Sequence, residues 1–260
     1  MKKPLFILIT IFSFQVSLAQ NNSAFQDGEW FKFKMSYSGW LKAGNATLTV
    51  NETRLDERDV YHVVGKGWTT GAIKWFFKVE DLYESYFDKN SNLPYKFIRK
   101  IDEGGHTKDI EIVFNQETRE AKVNNKKRKK VSTIATKANV QDMVSAFYYL
   151  RNNYETDKIE VGDEIKLNMF FDEENYLFRL KFLGRETIKT KFGRIETLKF
   201  RPYVLAGRVF KEQESLTLWV SADENKIPLK VKADLAVGSL RADLEAFKGL
   251  KHSFKIVVKN

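Results

Sequence analysis

Val140-Gln141-Asp142-Met143-Val144-Ser145-Ala146-Phe147-Tyr148-Tyr149-Leu150-Arg151 is the stretch that decides how this chain folds. Val140, Met143, Val144, Phe147 and Leu150 recur at three- and four-residue steps, which places them on one side of an α-helix. Neither Gly nor Pro interrupts the run. An amphipathic helix needs an apolar surface to lie on, and almost everything around this one reads as strand. The stretch therefore predicts a helix over residues 140–151, seated against a sheet and dividing two β-rich halves that share one core.

Working outward, Phe31, Phe33, Met35 and Tyr37 alternate with polar residues, the pattern of a half-buried antiparallel strand. Asn21 to Gln26, ahead of it, reads as a polar lead-in. After a turn at Ser38 to Gly44, Ala46, Leu48 and Val50 alternate in the same way. Asp56 to Asp59 is a hairpin tip, and Val60 to Trp68 completes a three-strand meander. Gly65-Lys66-Gly67-Trp68-Thr69-Thr70-Gly71 has neither the spacing nor the Lys-Ser/Thr ending of a phosphate-binding loop, so its glycines predict a bend or bulge. Ala72 to Phe77 reads as one helical turn plugging an end of the sheet. Further hairpins follow on both sides of the helix, turning at Lys89 to Asn92, Glu103 to His106, Asn124 to Lys130, Asp172 to Asn175 and Ala222 to Lys226. Phe254 to Val258 reads as a closing strand. The total is about a dozen strands. The expected fold is mainly β: a large curved antiparallel sheet or open barrel with one main helix against it, as a single domain over residues 20–260.

Residues 1–19 have the form of a cleaved export signal. Lys2 and Lys3 precede the short apolar run Leu5 to Phe14, and Ser17-Leu18-Ala19 offers small residues at the cleavage position. No Cys follows that run, so lipid attachment there is not expected, and no later segment is apolar enough to span a bilayer. The chain contains 0 Cys, which rules out disulfides, thiolate metal sites and a cysteine nucleophile. A thiol-free exported chain holds itself together by core burial, and its 21 Phe and 10 Tyr supply large apolar areas. The expected address is the periplasm, with secretion as the alternative.

No catalytic pattern emerges. His62, His106 and His252 stand apart without metal-ligand spacing, and Ser145 lacks the Gly-x-Ser-x-Gly elbow that exposes a nucleophile. Asp172, Glu173 and Glu174 read as a solvated turn. The expectation is a non-enzymatic protein without cofactor or metal. The net charge of +10 suits anionic partners as well as solubility. Lys126-Lys127-Arg128-Lys129-Lys130 is the one dense charge run, a solvated turn or a landing patch for phosphate-bearing lipids or glycans. It lacks the interleaved aromatics of a nucleic-acid site, and nucleic acid is not an expected partner.

Several segments together resemble the exported bacterial family called domain of unknown function 3108. They are Trp68-Thr69-Thr70-Gly71, Tyr83-Glu84-Ser85, Pro94 with Phe97-Ile98-Arg99, the helix Ser145 to Arg151, and Leu218-Trp219-Val220-Ser221-Ala222-Asp223 running on to Pro228-Leu229. The resemblance implies a Gram-negative envelope protein built on a curved antiparallel sheet. It carries no accepted activity and no catalytic residue. A curved sheet with a helix against it is also similar, at the level of fold, to the periplasmic lipoprotein carriers.

Two binding roles follow as expectations. A bowed sheet under a helix can hold an amphipathic or lipid-like ligand, with Phe31, Phe33, Met35, Trp68, Trp75, Phe76, Met143 and Phe147 as candidate lining and Lys126, Lys127, Arg128, Lys129 and Lys130 as candidate basic surface. The alternative is an adaptor that contacts another envelope protein or cell-wall glycan through strand edges or the turn Gly39-Trp40-Leu41. Trp40 itself reads as folded back into the core.

Overall fold

The computed structural model describes residues 23–203, 216–235 and 237–257. The signal-like residues 1–19 lie outside them. A meander opens the chain: β1 (Trp30–Tyr37), β2 (Leu41–Leu55) and β3 (Arg58–Thr69). One helical turn, α1 (Ile73–Phe76), leads into β4 (Val79–Asp88), β5 (Pro94–Glu103) and β6 (His106–Asn115). Then come β7 (Glu120–Asn125), β8 (Lys130–Ala135) and the helix α2 (Ser145–Asn153). The second half comprises β9 (Glu164–Phe171), β10 (Glu174–Thr190), β11 (Gly193–Tyr203), β12 (Leu216–Ser221), β13 (Pro228–Asp234) and β14 (Ser239–Lys248).

Among the described residues, 14 strands form one antiparallel sheet in the order β8-β7-β6-β5-β4-β3-β2-β1-β14-β13-β12-β11-β10-β9. Every neighbour is a sequential hairpin partner except β1 and β14, which join the two meanders. The sheet does not close on itself; β8 and β9 are its edges. A bare edge strand is a row of unpaired peptide groups, and here the chain between β8 and α2 covers it. Gln141 N–H donates to Asn168 O at 2.9 Å and Phe170 N–H donates to Gln141 O at 2.9 Å. Asn175 completes the seam, its amide donating to Ala135 O at 2.8 Å and its Oδ1 accepting from Lys137 N–H at 3.0 Å. The result is an open barrel with a stitched seam.

The concave side follows from strand alternation. Tyr61 and Val63 on β3, Phe87 on β4, Phe97 on β5, and Ile110, Ile112 and Phe114 on β6 converge on Val140, Val144, Tyr148 and Phe170. Gly65 and Gly67 continue this inward series in unbroken register with both β2 and β4, so the glycines make no bulge in β3. The bulges fall elsewhere, between Met35 and Ser36 against β2 for example. A second cluster gathers Phe31, Phe33, Ile195, Ile227, Leu229 and Leu244, and a third gathers Leu180, Phe182, Leu198, Phe200 and Val220. The expected closing strand at the C-terminus reduces to a single bridge between Arg194 and Val257, with Val258 outside the described residues.

Two expectations about the helix are corrected. It begins at Ser145, because Asp142 ends the preceding segment as a cap: its Oδ1 accepts the N–H groups of Val144 at 2.7 Å and Ser145 at 2.8 Å. The buried face also differs. Ser145, Ala146, Tyr148 and Arg151 are buried, while Met143 is 41% exposed. Arg151 counts as polar in any hydropathy pattern, yet it turns inward because a carboxylate waits there.

That carboxylate is Glu29, just past the residues read as a polar lead-in. Ser23, Ala24, Phe25 and Glu29 are all buried. The Phe25 ring meets Tyr148 edge-on at 4.6 Å and Tyr61 at 5.0 Å, locking the lead-in between helix and sheet. Phe25→Ala would empty a fully enclosed site, so urea unfolding should show a loss of about 3–5 kcal/mol; a loss under about 1 kcal/mol would mean the segment is not part of the core.

Candidate functional site

The last turn of α2 is where apolar surface and charge come together. Arg151 Nη1 and Nη2 donate to the two carboxylate oxygens of Glu29 at 2.6 and 2.8 Å, with both side chains essentially inaccessible to water. Its remaining donors reach Asn225 O at 2.9 and 3.0 Å and Ala24 O at 3.1 Å. Four rings surround the guanidinium at 5.3–5.6 Å, from Phe25, Phe31, Phe147 and Tyr148. A planar fork matched to a carboxylate explains why Arg and not Lys fits here. Next to it, Lys226 from the β12–β13 turn donates to Arg151 O at 3.0 Å and Tyr154 O at 2.7 Å, satisfying carbonyls left over at the helix end. Burial, and then the Arg151 charge, push the Lys226 amine below its ordinary range.

Beside this group runs an apolar cleft. Phe147, Leu150 and Tyr154 form one wall, and Ile165, Leu180, Phe200, Leu218 and Val220 on β9 to β12 form the other. Arg151 and Lys226 also line it. Empty space out to open solvent is about 410 Å³, and the hollow a water-sized sphere can enter is about 50 Å³. The hollow itself has room for little more than one or two waters, so a larger occupant has to part the two walls.

Of the candidate lining residues, only Phe147 borders this cleft. Phe31 and Phe33 are core residues, and Met35 is half-buried on the same strand. Trp68 has the opposite parity to Tyr61 and Val63, so it lies on the outer face of the sheet, over a shallow charged depression with Lys66, Glu80 and Lys100. Trp75 and Phe76 do not plug the sheet; they are 89% and 87% exposed. Trp40 is likewise out in solvent, at 78%. The basic run occupies the exposed β7–β8 turn, where Lys126 pairs with Glu111 at 3.0 Å and Lys127 reaches Thr107. Asp172, read as solvated, instead ties the β9–β10 tip to Arg99 and Lys108, each at 2.7 Å. His62 is paired with Glu84 at 2.8 Å and stacked on Tyr86 at 4.0 Å. Among the described residues, no group of three His, Cys, Asp or Glu side chains could hold a metal ion, and no helix is long and apolar enough to cross a membrane.

Sequence reasoning missed Glu29, Lys226 and Asp142. Asp142 carried a legible signal, an Asp three residues before Ser145 at the head of an apolar run. Glu29 and Lys226 carried none, since their roles depend on contacts 122 and 75 residues away in sequence.

Comparison with known proteins agrees with this geometry. The fold is an open antiparallel barrel carrying one inward helix. The chain belongs to the family described as Protein of unknown function (DUF3108), whose profile matches residues 32–245. No curated protein matches it. Among solved structures it is similar to a β-barrel-like protein of domain of unknown function DUF1849 from Brucella abortus, with a TM-score of 0.56 and 9% identity over 88% of this chain and 100% of that one. A protein from Bacteroides fragilis described as exported, with a YmcC-like fold, matches at a TM-score of 0.35 and 10% identity, over 86% of this chain and 97% of that one. One from Parabacteroides distasonis described as a lipoprotein matches at 0.33 and 13%, over 87% and 98% respectively.

Asp142 gives the site a pH signature. Burial raises its carboxyl from 3.8 to about 6, against the opposing bonds from Ser85 and the Ser145 and Val144 amides. The folded protein thus holds this proton more tightly than the unfolded chain does. The carboxyl's contribution to stability declines as pH rises from about 4 to about 6 and is level above that. Asp142→Asn keeps an acceptor for the cap and loses the titration. The stability of the native protein relative to this variant should fall by up to about 3 kcal/mol across that window in urea unfolding; a flat difference would contradict the assignment.

Proposed function

We propose that this is an exported envelope protein, without catalytic activity, that holds one thin amphipathic molecule such as a fatty acyl chain in the cleft beside α2. The observation that carries the reading is the cleft itself: an apolar gap between the end of the helix and β9 to β12, with a half-buried ammonium among its lining groups. Arg151 is spent on Glu29, Asn225 and Ala24, so it organises the wall and does not bind a ligand head. Lys226 has two of its three donors on helix carbonyls, which leaves one proton for an anionic head group. The basic turn at Lys126 to Lys130 is not among the residues around the cleft and plays no part in holding this ligand. The signal-like residues 1–19 support a periplasmic address.

A dansyl-labelled fatty acid tests the proposal. The native protein should bind it with a blue shift and enhanced emission, and should release acyl chains under native mass spectrometry after extraction from envelopes. Leu218→Trp fills the slot and should weaken probe binding at least roughly tenfold, the order of effect expected when a pocket is overfilled. Equal affinity of native and Leu218→Trp proteins, or no binding by either, would remove the reading.

A further inference from the structure

The end of the sheet away from the Arg151 cluster collects large apolar side chains that are exposed among the described residues. Three adjacent segments supply them. The β1–β2 turn carries Trp40 at 78% exposure, α1 and its C-terminal neighbour carry Trp75, Phe76 and Phe77 at 89%, 87% and 50%, and the β13–β14 turn carries Val237 at 77%. Hydrogen bonds hold these segments at one end of the barrel. Ser38 N–H donates to Ser239 O at 2.7 Å, the Tyr37 hydroxyl donates to Val237 O at 2.8 Å, and Thr70 N–H donates to Ala43 O at 3.0 Å. Gly104 N–H donates to Lys78 O at 2.8 Å, bringing the β5–β6 turn under Phe77.

The cations of the chain's densest charge run sit at this same end. β7 pairs with β6 so that Asn125 lies opposite Ile110, which puts the turn at Lys126 to Lys130 beside the β5–β6 turn. Lys126 N–H confirms the placement by donating to Asp109 O at 3.0 Å. Lys42, Lys74 and Lys78 come from the aromatic segments themselves. Carboxylates at this end pair with some of these cations: Glu80 and Asp102 with Lys78 at 2.9 and 3.7 Å, Glu111 with Lys126 at 3.0 Å, Asp172 with Arg99 and Lys108 at 2.7 Å, and Asp234 with Lys232 at 2.8 Å, while Asp81 and Asp109 also lie near it. Arg128, Lys129 and Lys130 remain exposed.

We infer that this end docks on an anionic lipid bilayer, with Trp40, Trp75, Phe76, Phe77 and Val237 seated among the head groups and the Lys126 to Lys130 turn against the lipid phosphates. Indole and phenyl rings on short turns, beside Lys ammoniums, are the chemistry that partitions into a bilayer interface. The apolar groups come from three separate short segments, α1 and the β1–β2 and β13–β14 turns, the first two beside lysines. The positive charge supplies attraction to an acidic membrane and not to a neutral one. The inference stands apart from the cleft: docking uses one end of the barrel, and the slot lies beside α2.

Co-sedimentation of the purified exported protein with vesicles tests it, using phosphatidylglycerol mixed equally with phosphatidylethanolamine, and phosphatidylcholine alone as the neutral control. The native protein should bind the anionic vesicles with a blue shift of its Trp emission. Trp75→Ser combined with Phe76→Ser should weaken that binding at least roughly tenfold, while exposed positions such as these leave folding intact. Replacing Lys126 to Lys130 with Gln should cut binding to anionic vesicles by a similar factor and remove its salt dependence. Binding of the dansyl fatty acid should be unchanged in both variants, so a failure here is distinct from a failure of the cleft. Three outcomes would overturn the inference: no vesicle binding by the native protein, native-like binding by the Trp75/Phe76 variant, or self-association in sedimentation velocity that the variant abolishes without any vesicle binding, which would make this end a contact with a second copy.

Discussion

A guanidinium and a carboxylate facing each other in the dark interior hold this molecule's parts in place. Arg151 from α2, Glu29 from the segment before β1, and the Asn225 carbonyl from the β12–β13 turn meet at one point. Those three segments belong to the helix, the first meander and the second meander. Desolvating two full charges is expensive, and a bidentate pair repays that only when other donors are satisfied too, as Nε and Nη2 are by Asn225 O and Ala24 O. The pair is therefore better understood as a fastener that defines register than as a source of net stability. With it in place, Tyr148 and Phe25 have a fixed partner, the helix end is positioned for Lys226, and the slot along Leu150 and Tyr154 has a wall.

The barrel then divides by chemistry. One end is closed by the lead-in, the helix and the β12–β13 turn, and its interior is aromatic and nearly dry. The other end leaves its rings in water and gathers the densest run of cations. An asymmetry of this kind has no structural need: nothing in the core packing requires Trp75 or Phe76 to be aromatic. Exposed large apolar groups on a folded surface mark contact with something else. The cleft beside α2 and the exposed aromatic end are separate features of one barrel, and each stands on its own observations.

Much of the architecture was legible because it rests on local alternation. The β1–β3 meander, the turns at Asp56 and Asn124, and a lone helix under a curved sheet all follow from side-chain period. The site was less legible for a definite reason. Hydropathy assigns Arg151 and Glu29 to the surface, and only their pairing across 122 residues reverses that. Trp75 and Phe76 fail in the opposite direction, since hydropathy sends them inward while a single exposed helical turn keeps them out. Trp68, a candidate lining residue, lies on the outer face because Gly65 and Gly67 keep β3 in unbroken register, so the alternation set by Tyr61 and Val63 runs on through it.

The fastener can be tested directly by a double-mutant cycle in urea unfolding, with Glu29→Gln, Arg151→Met and the pair together. Each single change strands a buried charge or its partner groups and should destabilise the fold by about 3–5 kcal/mol. The double variant should recover most of that loss, giving a coupling of at least about 2 kcal/mol. Additive losses, with no recovery in the double variant, would contradict the account, because the two groups would then be acting separately and the three segments would owe their placement to something else.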